Sequence, residues 1–93
     1  MATMLVKRLV IKGRVQGVGF RYALADEAHA LGLRGWVRNR RDGDVEAIVA
    51  GPAHHIDAII AWANRGPPAA TVSAVRVEAA EGDFAQFEIA PTV

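Results

Sequence analysis

The order in which strand-like and helix-like periodicity succeed one another leaves this chain few ways to fold. Leu5 to Lys12 is rich in Leu, Val and Ile and stops at Gly13, which reads as a strand. Its alternation is not clean enough to say which face is inside. Phe20, Leu24, Ala28 and Leu31 then recur at helical spacing, and Gly32 follows where a helix ends in a left-handed residue. Trp36 and Val37 open a second strand. Asp42-Gly43 predicts a hairpin turn with positive φ at two positions. Val45, Ala47 and Val49 share one face of the return strand. Gly51-Pro52 starts a second helix, with the proline expected in its first turn. Ile56, Ile59, Ile60 and Ala63 form that helix's apolar stripe, and Gly66-Pro67-Pro68 ends it. Val75, Val77 and Ala79 alternate with Arg76 and Glu78 in a further strand. A turn at Glu81-Gly82-Asp83 leads to a short last one around Phe87 and Ile89.

Strand, helix, strand, strand, helix, strand is the split βαβ order of a ferredoxin-like α+β sandwich, here with a possible short fifth strand. Right-handed crossovers put both helices on one face of an antiparallel sheet. The first and third strands are then central and the second is an edge strand. The first and second strands point the same way, so the loop after Lys12 and the stretch Arg38-Asn39-Arg40 should meet on one rim. The length fits a single domain, residues 1–93.

Charge is unevenly spread. Nine of the eleven Lys and Arg residues fall in 1–41, and eight of the ten acids in 42–93. An anion site is therefore expected to draw on the first half. There is no cysteine, which removes thiol nucleophiles, disulfides and cysteine-ligated metals. No apolar run is long enough to span a bilayer, and MATMLVKRLV lacks the pattern of a signal peptide. A cytoplasmic protein, monomeric by default, is the expectation.

Residues 13–22, GRVQGVGFRY, carry three glycines in seven positions directly before a helix. Such a loop exposes successive N–H groups, and the helix start adds unpaired amides and the positive end of its dipole. Together they suit a phosphate or carboxylate. Arg21 can add a permanently charged, bidentate fork. Neither the Walker A sequence nor the dinucleotide fingerprint fits. A tight strand-to-helix turn with an exposed arginine explains the loop equally well. Asn39 offers both a donor and an acceptor, and so can orient water near such a cradle. It can equally be the end of a strand.

Gly13-Arg14-Val15-Gln16-Gly17-Val18-Gly19-Phe20-Arg21 resembles the first signature of the acylphosphatases. Gly35-Trp36-Val37-Arg38-Asn39, followed by Asp42-Gly43-Asp44-Val45-Glu46, resembles the second. The resemblance covers essentially the whole chain. It implies hydrolysis of acyl phosphates to a carboxylate and inorganic phosphate. Arg21 would bind the phosphoryl group with the amides of Val15, Gln16, Gly17, Val18, Gly19 and Phe20, and Asn39 would position the attacking water. No metal, cofactor, nucleic acid or membrane is implied, only a small-molecule acyl phosphate. The chemistry agrees, since the leaving carboxylate has a pKa of about 4 and departs without protonation. Placement and charge stabilisation then matter more than a general acid.

Other features carry less. His54 and His55 are adjacent on a helix and do not share a face, and His29 lies near a helix C-terminus. Trp36 and Trp62 are expected in core or helix–sheet packing. Arg14, Arg38, Arg40 and Arg41 either steer an anion or protect a sheet edge. An RNA-binding sheet would need aromatics on its central strands, and residues 5–12 have none. A third possibility is the acylphosphatase-like domain of a larger carbamoyl-transfer maturation protein.

Overall fold

The computed structural model describes residues 3–93. It contains β1 (Met4–Arg14), α1 (Phe20–Ala30), β2 (Arg34–Asn39), β3 (Val45–Pro52), α2 (Ala53–Arg65), β4 (Thr71–Ala79) and β5 (Phe87–Ile89). The sheet order is β4-β1-β3-β2-β5. β1 and β3 are central and both helices pack on one face, as the ferredoxin-like pattern requires. No helix among the described residues is long and apolar enough to cross a membrane.

Two expectations need correcting. The sheet is mixed, not antiparallel throughout, and β2 is not an edge. The short fifth strand pairs with β2 in parallel, Gly35 facing Phe87 and Val37 facing Ile89. β4 and β5 occupy opposite edges, so residues 80–86 cross one end of the sheet between them. His29 secures the new edge, its Nε2 lying 3.0 Å from the Phe87 carbonyl oxygen.

Register settles which side of β1 is inside. Leu9 faces Ala47 and Ile11 faces Val45, and all four are fully buried beneath the helices. Val37, Val49, Phe20, Leu24, Ile56 and Ile59 complete that core. Each such side chain contributes about 1.5–3 kcal/mol by leaving water. The Trp62 ring meets Phe20 edge-on at 5.4 Å, joining α2 to α1. Trp36 does not join this core. Strand alternation puts it opposite Val37, on the open face, where the Arg38 guanidinium lies 4.4 Å from its ring.

The open face hides a carboxylate. Glu46, only 3 % exposed, is paired with Arg8 and accepts bonds from Arg38 Nε at 2.9 Å and Nη2 at 2.8 Å. Ladder pairing sets Arg38 directly across from Glu46, while Arg8 reaches it from the neighbouring strand. Glu46→Gln removes the charge but keeps the shape, and both arginines can still reach water. A loss of about 1–3 kcal/mol is expected, read as a lower denaturation midpoint at unchanged slope.

Loop chemistry differs from a two-residue hairpin. Residues 40–44 connect β2 to β3, and only Gly43 has positive φ (99°). Arg40 N–H donates to the Asp44 carbonyl at 2.9 Å, and Gly43 N–H to the Arg40 carbonyl at 3.1 Å. Asp42 needs no left-handed backbone, because its side chain supplies the turn by accepting from the Asp44 N–H at 3.0 Å. That bond, then the Arg40 guanidinium, hold the Asp42 carboxyl below its ordinary range. Pro52 is also displaced. It ends β3 in extended conformation and caps α2, instead of entering its first turn.

Candidate active site

The loop between β1 and α1 is pinned at both ends. Val15 and Phe20 are each 1 % exposed and anchored in the core, with Val18 packed partly against it. Gly17 (φ 75°) and Gly19 (φ 78°) are left-handed, while Gln16 and Val18 are not. Alternating φ sign is the pattern that turns successive N–H groups to one concave side. An added Cβ at either glycine would meet nothing within 4 Å, so backbone conformation, not space, demands glycine here.

Those amides are free. Among the described residues, no N–H from Val15 to Phe20 donates to a backbone carbonyl. α1 begins at Gly19 without a side-chain cap, and its first turn holds no acid. Sequences that favour helix stability place a capping oxygen and an acidic residue there. This one places Arg21, which has no carboxylate partner among the described residues.

Asn39 closes the group. It is the last residue of β2 and faces Val45 across the ladder. Val15, Gln16, Gly17, Gly19, Phe20, Arg21, Tyr22 and Asn39 together line one pocket of roughly 210 Å³. Asn39 Oδ1 is buried there with no partner among the described residues. β1 and β2 run parallel, one strand apart, which is why their C-terminal ends converge on this rim. The pocket thus offers unpaired donors, a free guanidinium and an amide with unspent hydrogen-bonding capacity. It suits a tetrahedral anion with water alongside.

The other expected residues divide. The Val18 side chain turns to the core and does not line the pocket. Arg38, Arg40 and Arg41 line a separate recess of roughly 430 Å³ with Asp42, Glu46 and Val93. Though larger, that recess is weaker as an anion site, because Arg38 is tied to Glu46 and Arg40 to Asp42. Arg14 lies outside both. Sequence reading missed Tyr22, 63 % exposed at the pocket rim with its ring 5.8 Å from the Arg21 guanidinium. Its place directly after Arg21 was the available signal.

The family model described as Acylphosphatase matches residues 7–89. This chain belongs to the acylphosphatase family. An acylphosphatase of Azoarcus sp. (strain BH72) is 54 % identical over 92 residues, covering 98 % of this chain and 94 % of that protein. The structure of an acylphosphatase from Coxiella burnetii superposes with a TM-score of 0.90 at 35 % identity, over 94 % of this chain and 93 % of that one. The fold also occurs within full-length HypF, with a TM-score of 0.89 at 26 % identity. There the match covers 99 % of this chain and 12 % of HypF. The acylphosphatase relatives therefore match over nearly their whole length, and HypF over a small part.

Proposed function

We propose that this acylphosphatase hydrolyses the carboxyl–phosphate bond of small acyl phosphates through Arg21, the loop amides and Asn39. Arg21 and the N–H groups of Val15 to Phe20 hold the phosphoryl oxygens. Asn39 holds the attacking water in line with the departing carboxylate. The water oxygen bonds to phosphorus, the phosphorus–acyl oxygen bond breaks, and its electron pair leaves with the carboxylate. The water proton ends on phosphate or in solvent. Because that carboxylate is a weak base, no side chain has to protonate it. The donors act on charge spread over the phosphoryl oxygens, where preorganised dipoles count most.

The observation that supports this reading best is the joint exposure of unpaired amides, unpaired Arg21 and Asn39 to one small pocket. Every group it uses comes from one chain, in keeping with a single domain working as a monomer. The test is release of inorganic phosphate from benzoyl phosphate, with and without a chelator. Turnover in both conditions supports the reading. An inert protein overturns it, and activity lost to the chelator overturns its independence of metal.

A further inference from the structure

Gln16 differs from the rest of the loop in what its side chain does. Its Nε2 donates to the Arg40 carbonyl at 2.7 Å and to the Asp44 carbonyl at 2.9 Å. Each of those oxygens already accepts one bond within the 40–44 turn, from Gly43 and Arg40 respectively. A carbonyl oxygen has two lone pairs, and Gln16 occupies the second of each. Both protons of its amide nitrogen are thereby used, in a part-buried setting where water competes less.

The active site is assembled from two pieces of chain. The loop before α1 brings the amides and Arg21, and β2 brings Asn39. Among the described residues, the two Gln16 bonds are the only hydrogen bonds joining residues 15–20 to residues 34–44. They land together on the turn side of the Asn39 ladder position, one step beyond the Asn39–Val45 pair. Arg40 follows Asn39, and Asp44 precedes Val45, the residue facing Asn39.

We infer that Gln16 is a positioning residue whose side chain fixes the distance between the phosphate-holding loop and the Asn39 amide. The inference rests on the roles proposed above for Arg21 and Asn39. Gln16 acts on the alignment of water with phosphorus, to which rate is steeply sensitive. Phosphate capture depends on it little, because Val15 and Phe20 anchor the loop in the core independently.

The test is a double-mutant cycle on benzoyl phosphate turnover. Gln16→Met keeps the length without the donors. Gln16→Asn keeps the donors on a shorter arm, and provides the same comparison if the methionine variant does not fold. Each lowers kcat by on the order of tenfold or more in the wild-type background. KM and inhibition by inorganic phosphate change by less than about twofold. In the Asn39→Ala background, the same substitutions change kcat by less than about twofold. Unchanged kcat, an equal loss in both backgrounds, or a loss carried by KM and phosphate inhibition would each overturn the inference. Near wild-type turnover of Asn39→Ala alone is a separate result, and it overturns the role of Asn39 instead.

Discussion

Arg21→Ala lowers kcat/KM for benzoyl phosphate by about two to three orders of magnitude, the loss typical of one preorganised donor at a developing charge. The guanidinium stands on the first turn of α1, where the unpaired N–H groups and the dipole already favour an anion. No carboxylate among the described residues neutralises it, so its full charge is available to the phosphoryl group. Inhibition by inorganic phosphate should weaken with it, because the same oxygens are held in product and substrate. Arg21→Lys also fails, since an ammonium cannot present two parallel donors to two oxygens. Stability moves the other way. A cation at a helix N-terminus opposes the dipole, so the alanine variant melts no lower than wild type. Turnover within tenfold of wild type would remove Arg21 from the mechanism, and a large drop in melting temperature would recast it as structural.

Asn39→Ala gives a different kinetic signature. The loss, again about two to three orders of magnitude, falls on kcat, while inhibition by inorganic phosphate is nearly retained. The loop amides and Arg21 still hold the phosphoryl group, and only the water loses its support. Stability again separates the roles. The buried Oδ1 has no partner among the described residues, and such an atom costs about 1–3 kcal/mol. Removing it offsets the small void left behind, so the folded state is not weakened. Measuring kcat, the phosphate inhibition constant and the thermal midpoint on one preparation checks all three statements. Equal losses in kcat and phosphate affinity would place Asn39 among the phosphate ligands.

Both expectations come from one feature of the molecule. The start of α1 forgoes a side-chain cap bond and carries arginine, with no acid, in its first turn. The amides left open there among the described residues, beside the Asn39 side chain that lines the same pocket, are interactions withheld from folding and open to a ligand.

The sequence by itself determined the element order and the glycine-rich loop, which follow from local rules: apolar spacing, glycine and proline punctuation, and the donors that a short segment can expose. Those rules left Arg21 and Asn39 open to purely structural readings, and the roles proposed for them came from the resemblance to the acylphosphatase signatures. The sequence also foretold that the loop and Asn39 meet, because strand direction in a split βαβ unit forces two strand ends to one rim. The tertiary structure alone decided what depends on pairing between distant segments. β5 adds beside β2 and makes the sheet mixed, the parity of β2 sends Trp36 to the open face, and ladder pairing sets Arg38 across from Glu46 on β3. The Asp42 carboxylate shapes the turn, and the Gln16 side chain grips that turn from the phosphate loop. Shifting a strand by one residue reverses every face it presents, and no local pattern records which register the folded sheet adopts.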